Sequence, residues 1–210
     1  MRHLPELLLL RHGETEWNRE GRFQGSADSV LTPRGREQAA SLGRLLAGQG
    51  AGPGTHDAFA SPQPRALETA WIALSPLGLE AVPDPRLAEI GMGCWTGLRR
   101  AEIAARWPGP EEEPVLAFYA RCPDGERLGD VAARARGVLN ELRRPSVVVT
   151  HGITLRLLCA MALGGTVEDA EGIRVPQGCL VRIARGRMEV IGSKGLPDPT
   201  AAASPEARGG

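Results

Sequence analysis

Aromatic residues make up only 4% of this 210-residue chain, so its core has to rest on Leu, Val, Ile and Ala. Cysteine is scarce too. Cys94, Cys122, Cys159 and Cys179 are widely scattered, with no CxxC pair and no zinc-ligand spacing. All four are read as thiols in a reducing compartment. Net charge is lacking: 25 Lys plus Arg balance 25 Asp plus Glu. That argues against a nucleic-acid binder, which usually carries a basic excess, but leaves room for a local cationic pocket. Arginine greatly outnumbers lysine, which suits a pocket that needs a planar fork of donors. Long hydrophobic runs are absent. The N-terminus offers only Leu7 to Leu10 before Arg11, short of the roughly 7–15 apolar residues of a secretory signal. Nothing later approaches the ~20 residues of a membrane span. A cytoplasmic protein with neither membrane nor nucleic acid as partner is expected. What remains, 42% hydrophobic and 24% charged residues, is ordinary for a globular chain long enough to bury a real core.

Three short apolar runs end abruptly in a Gly or Pro break. Leu7 to Leu10 runs into Arg11-His12-Gly13. Val147 to Val149 runs into Thr150-His151-Gly152. Ala58-Phe59-Ala60 runs into Ser61-Pro62. Such runs fit strands buried on both faces of a parallel sheet. Helical patterns lie between them. Thr32-Pro33 has the form of an N-cap followed by a first-turn proline, and Ala39, Leu42, Leu45 and Leu46 recur at helical spacing until Gly48 and Gly50 stop them. Further helices are expected from Pro64 to Leu74, around Val131 to Leu142, and from Ile153 to Leu163. Cys179 to Ile183 and Met188 to Ile191 form a terminal hairpin around Arg185-Gly186-Arg187. The alternation implies a three-layer α/β/α sandwich with a mostly parallel sheet. One domain over residues 1–195 is expected, with a flexible connection over 48–54 and a Pro-, Ala- and Gly-rich disordered tail over 196–210.

In open α/β sheets, ligands bind beyond the carboxyl ends of the strands. Two of these strands deliver a His-Gly there, and the third delivers Ser61-Pro62 with Arg65 just behind. His12, His151, Arg11 and Arg65 should therefore converge. Two histidines and two arginines without Asp or Cys make a poor metal site and a good phosphate site. Arginine binds phosphate oxygens bidentately, and a neutral imidazole can carry a covalent phosphoryl group.

The order of motifs resembles the histidine phosphatase superfamily, the phosphoglycerate mutase-like proteins. The resemblance runs through Leu10-Arg11-His12-Gly13-Glu14-Thr15-Glu16-Trp17-Asn18, Gly21-Arg22-Phe23-Gln24-Gly25, Leu31-Thr32 to Gly35, and Ser61-Pro62 with Arg65-Ala66 and Thr69-Ala70. It continues through Leu87, Glu89, Gly93, Trp95 and Gly97, and closes at Val149-Thr150-His151-Gly152. Together these elements span roughly Leu7 to Ile183. The resemblance implies His12 as nucleophile, with Arg11, Arg65 and His151 holding the transferring oxygens. It implies Glu89 as proton donor to the leaving oxygen, and Asn18, Gln24 and Gly25 around the phosphate pocket. It implies no metal and no other cofactor. The chain departs from the family's P-G-G-E-S segment, where it has Pro123-Asp124-Gly125-Glu126-Arg127.

Each residue also has a plainer reading. His12 and His151 could be structural histidines, Arg65 a solvated helix charge and Glu89 an exposed loop acid. Trp17 and Trp95 are read as packing residues, His3 and His56 as surface residues, and Glu111 to Glu113 as a solvated loop or first helical turn. Three functions follow: a phosphomonoester hydrolase acting through a phosphohistidine, a phosphoglycerate mutase, and a non-catalytic phospho-ligand binder. Mutases of the family carry a longer, more basic insertion between the positions of Glu89 and His151. Here that segment is short and opens with Gly93-Cys94-Trp95-Thr96-Gly97, as in the phosphatase branch, which favours hydrolysis. The partner is then a small phosphomonoester. Sugar phosphates, phosphoglycerate derivatives and α-ribazole phosphate are all open, as is a homodimer. Specificity is assigned to the region 98–127, with its Arg99, Arg100, Arg106, Arg121 and Arg127.

Overall fold

A computed structural model describes residues 4–192. His3 and the tail expected over 196–210 lie outside the described residues. Along the chain come β1 (Leu7–Arg11), α1 (Glu16–Arg19), α2 (Pro33–Gly48), β2 (Asp57–Ala60), α3 (Pro64–Leu74) and β3 (Val82–Pro83). Then follow α4 (Arg100–Arg106), α5 (Val115–Ala120), α6 (Leu128–Glu141), β4 (Ser146–Thr150), α7 (Gly152–Ala162), β5 (Leu180–Ala184) and β6 (Arg187–Ile191).

The strands form one sheet in the order β3-β2-β4-β1-β5-β6. The first four are mutually parallel, and the terminal hairpin adds antiparallel to β1. Leu7 to Leu10 are all fully buried because β1 has helices over both faces. Leu7 and Leu9 join Val148 in a core with residues of α6 and α7. Leu8 and Leu10 join Val147 and Val149 in a second core with residues of α2 and α3. Side chains one apart on a strand point to opposite faces, so a continuous Leu run feeds two cores at once. The three-layer sandwich follows directly.

Thr32 caps α2, its side chain accepting from Gly35 N, as the Thr-Pro pair predicts. Two expectations need correction. His56 is buried, not a surface residue, with Nδ1 2.9 Å from Thr55 Oγ1. The connection over 48–54 before it is made of turns: Gly50 N donates to Ala47 O, Ala51 N to Leu46 O, and Thr55 N and His56 N to Gly52 O. Glu113 is no solvated acid. Its side chain is 4% exposed and sits 2.5 Å from Arg121 Nε. That arginine also donates to Trp107 O at 2.9 Å and lies 4.8 Å from the centre of the Trp95 ring. Arg121 is thereby a core brace, while Trp95 packs as expected between Trp107 and Phe118.

Candidate active site

The register of the parallel strands builds the site. Arg11 pairs with Thr150 across β1 and β4, and Ala60 with Val149 across β2 and β4. The next residues out are His12, His151 and Ser61, so they emerge side by side at one edge of the sheet. The rings of His12 and His151 stand 5.1 Å apart, and both side chains are buried. Two motif glycines make the turn feasible. A Cβ on Gly13 would lie 2.3 Å from Gly35 O, and one on Gly35 would lie 2.0 Å from Glu14 O. Only glycines let the loop after β1 press so closely on the first turn of α2.

Hydrogen bonds assign the two imidazoles distinct roles. His12 Nδ1 lies 2.7 Å from Gly13 O. A carbonyl can only accept, so Nδ1 carries the hydrogen and Nε2 carries the lone pair. Burial first, then the charges of Arg65 and Arg11, hold His12 well below the ordinary histidine range. The ring is therefore neutral and nucleophilic at neutral pH. His151 Nε2 lies 2.7 Å from Ser61 Oγ, and that oxygen also accepts from Gln63 N at 3.3 Å. The hydroxyl can also donate to Gln63 Oε1 at 3.4 Å, so the contact orients the His151 ring without assigning its tautomer. Nδ1 is buried with no hydrogen-bond partner. Burial, then His12, Arg65 and Arg11, also hold His151 below its ordinary range.

Arg65 is 1% exposed, which dismisses the reading as a solvated helix charge. Its Nη1 donates to Ala27 O at 2.7 Å and Asp28 Oδ1 at 2.8 Å, and Nη2 donates to Gly25 O at 2.9 Å. Its Nε is buried and unpartnered, as is Nε of Arg11. The Arg11 guanidinium carbon lies 3.5 Å from where a Cβ of Gly152 would stand, at the start of α7. Three buried nitrogens without partners, on Arg11, Arg65 and His151, thus belong to residues whose charges or ring act on His12, beside a helix N-terminus. A buried donor without a partner is costly, and an anion is the group that relieves all three.

Glu89 is anchored at the same helix end. Its Oε1 accepts from Ile90 N at 3.0 Å, Thr154 N at 3.2 Å and Thr154 Oγ1 at 3.2 Å, and its Oε2 accepts from Ile153 N at 3.3 Å. Gln63 ties this acid to the Arg65 loop: Oε1 accepts from Glu89 N at 2.7 Å and Nε2 donates to Gly25 O at 2.8 Å. Asn18 Oδ1 caps Thr15 N at 3.2 Å and accepts from Gln177 Nε2 at 3.0 Å. Gln24 is buried, with Oε1 unpartnered. Gly25 contributes through its carbonyl. Sequence reasoning did not assign Ser61, Gln63, Asp28, Thr69 or Gln177 to the site. Thr69 joins it because its hydroxyl accepts from Gly13 N at 3.0 Å and donates to Arg65 O at 2.7 Å. Among the described residues, no group of three or more His, Cys, Asp and Glu is arranged to hold a metal ion.

The segment that departs from the family pattern serves as a brace. Asp124 adopts φ 57°, and its Oδ2 accepts from Cys94 Sγ at 3.2 Å. Glu126 Oε1 accepts from Arg134 Nε at 2.9 Å, and Oε2 accepts from Gly91 N at 3.2 Å. The loop thereby supports the stretch that follows Glu89.

The profile of the histidine phosphatase superfamily (branch 1) matches residues 7–190. Phosphoserine phosphatase 1 of Hydrogenobacter thermophilus is 32% identical over 171 residues, covering 77% of each chain. The 2,3-bisphosphoglycerate-dependent phosphoglycerate mutase of Novosphingobium aromaticivorans is 34% identical over 208 residues, covering 83% of this chain and 90% of that one. Among solved structures, a mycobacterial glucosyl-3-phosphoglycerate phosphatase in complex with VO3 is 30% identical. Its TM-score is 0.76 over 89% of this chain and 97% of its own. The α-ribazole phosphatase of Shigella flexneri is 27% identical, with a TM-score of 0.73 over 91% and 98%.

Proposed function

Since the chain belongs to the histidine phosphatase superfamily, we propose that it is a metal-independent phosphomonoester hydrolase working through a phosphohistidine at His12. The observation that carries this reading is the tautomer of His12. Its Nδ1 hydrogen is committed to Gly13 O, which leaves the lone pair on Nε2, and Arg11, Arg65 and His151 of the same site each hold a buried nitrogen without a partner. In the first step Nε2 attacks phosphorus and the ester P–O bond breaks. The departing oxygen takes the proton of the Glu89 carboxyl and leaves as an alcohol. Arg11, Arg65 and His151 hold the equatorial oxygens, where charge is spread in such a transfer. In the second step a water oxygen attacks phosphorus, Glu89 recovers a proton from that water, and the P–N bond breaks to release phosphate and neutral His12.

Asn18, Gln24 and Gly25 act as framing rather than as reacting groups: the first through Gln177, the last through the carbonyl that holds Arg65. Phosphoglycerate mutase-type transfer is the competing reading, because two curated relatives carry that name. One experiment separates them. With labelled 3-phosphoglycerate, release of inorganic phosphate or no reaction is expected, and any label trapped on the protein should be acid-labile, base-stable and on His12. Isomer exchange much faster than phosphate release overturns the hydrolase reading. A label on Ser or Asp overturns the mechanism.

A further inference from the structure

Gln63 stands at the N-cap of α3, yet its side chain makes no capping bond. Asp28 takes that place, with Oδ1 accepting from Arg65 N at 3.3 Å. The Gln63 amide instead crosses between two loops. Its Oε1 accepts from Glu89 N at 2.7 Å, and its Nε2 donates to Gly25 O at 2.8 Å. A backbone N–H can only donate and a carbonyl can only accept, so the two partners fix which end of the amide faces which. Gln63 is buried, and an apolar side chain in its place would leave Glu89 N without this acceptor. Gly25 O is also the carbonyl that receives Arg65 Nη2 at 2.9 Å. On the other side, Leu87 O accepts from Thr150 Oγ1 and Ala88 O from Thr154 Oγ1, each at 2.7 Å. The stretch that carries Glu89 is therefore fixed to β4 and α7, whereas Arg65 belongs to α3 and to the loop of Gly25 and Ala27. Gln63 bridges the two.

We propose that Gln63 is a positioning residue, which sets the spacing between the proton donor Glu89 and the Arg65 cradle that holds the phosphoryl group. The inference rests on the hydrolase reading above, in which Glu89 protonates the leaving oxygen. In that reaction Glu89 is neutral before the P–O bond breaks and charged after it. Its carboxylate is held by Ile90 N, Thr154 N and Ile153 N at 3.0, 3.2 and 3.3 Å. Such bonds are strong to a carboxylate and weaken once it is protonated, which is the state that reacts. The bond from Glu89 N to Gln63 involves no titrating group, so it holds the residue in both states. Its other end is tied to the carbonyl that receives Arg65, so the acid keeps its place relative to the bound phosphoryl group. A misplacement of about 1 Å can cost about 10²-fold in rate.

The test reads kcat/KM for glycerol 3-phosphate and for p-nitrophenyl phosphate on one preparation, so that any unfolded fraction cancels from their ratio. Gln63→Met keeps the length of the side chain and loses both bonds. It should lower the alkyl-to-nitrophenyl ratio by about tenfold or more, because nitrophenolate leaves without a proton. Gln63→Asn keeps the amide but is one methylene too short to span both partners, and it should show the same selective loss. In a Glu89→Gln background, Gln63→Met should leave the ratio within about threefold, since no acid remains to be positioned. Equal losses on the two esters would make Gln63 a merely structural part of its loop and overturn the proposal. A selective loss that persists in the Glu89→Gln background overturns it too, by placing its action elsewhere. If Glu89→Gln alone keeps the wild-type ratio, Glu89 is not the acid and the positioning role falls with it. If the wild-type protein hydrolyses neither ester, the hydrolase reading itself fails.

Discussion

His151 Nε2 and Ser61 Oγ face each other at 2.7 Å across the ends of two neighbouring strands. This contact orients the His151 ring, whose Nδ1 is buried without a hydrogen-bond partner. Ser61 is itself fixed, since it accepts from Gln63 N. Ser61→Ala should therefore leave the fold intact and loosen His151. We expect kcat/KM for p-nitrophenyl phosphate to fall by about tenfold, with a parallel weakening of vanadate inhibition. Unchanged inhibition and turnover would show that His151 is oriented without Ser61.

Acid stability should carry the signature of two buried neutral histidines. His12 and His151 are both held below the ordinary range, chiefly by burial. As pH falls below about 6.5, the unfolded chain takes up protons at these positions and the folded chain does not. The unfolded state then binds more protons, so stability falls with pH, by up to about 1.4 kcal/mol per pH unit for each histidine. The loss continues until the lowered folded-state values are reached. The double variant His12→Gln/His151→Gln should lose less stability than the wild type between pH 7.5 and pH 5, as read by urea unfolding. Buried His56, also held low by burial, contributes equally to both. Parallel slopes for the two proteins would mean that the site histidines titrate normally.

Much of this site is legible because its chemistry sits at ends of elements that signal themselves. Leu7 to Leu10 and Val147 to Val149 are apolar without interruption, so the residues that break them, His12 and His151, stand out. The Thr32-Pro33 signal marks the start of α2 to the residue, and Gly48 and Gly50 mark its end more loosely. Residues whose roles depend on distant partners stay invisible. Gln63 acts on residues 26 and 38 positions away, and Gln177 on one 159 away. No local pattern encodes such pairs. His56 and Glu113 mislead for a related reason: charged or polar types are read as exposed until a partner such as Arg121 allows burial. At two residues, β3 is too short to have a periodicity.

The Asp124 backbone offers a stability test with a predicted sign. At φ 57° it lies where a β-carbon is disfavoured and glycine is not. Asp124→Gly relieves that strain but gives up the contact with Cys94 Sγ, so the net change should lie within about 1 kcal/mol of zero, on the stabilising side. Asp124→Val keeps the strain, adds branching and loses the contact. It should destabilise by about 1–3 kcal/mol. Urea midpoints for the two variants should fall on opposite sides of the wild type. Equal destabilisation would assign the thiol contact more weight than the backbone.

Glu89 gives the sharpest functional test, because its geometry and its proposed chemistry predict different patterns of loss. An alkoxide leaves poorly, so the ester oxygen needs a proton as the P–O bond breaks, and a positioned acid contributes about 10²–10⁴-fold. Nitrophenolate leaves without one. Glu89→Gln keeps an acceptor for Thr154 N and Ile90 N, the partners of Oε1, but sets an amide N–H against Ile153 N, the partner of Oε2. That mismatch disturbs the α7 end equally for every substrate. Loss of the proton affects only esters with poor leaving groups. We therefore expect kcat on an alkyl phosphate to fall by about 10²-fold or more, and kcat on p-nitrophenyl phosphate to fall far less. Equal losses on both would make Glu89 a prop for the helix end or an activator of the attacking water. Full activity on the alkyl ester would remove it from the mechanism. The search for the acid would then turn to Glu14, Glu16 and Glu126, of which Glu14 accepts from Thr32 Oγ1 at 2.9 Å and faces Arg34 at 3.6 Å.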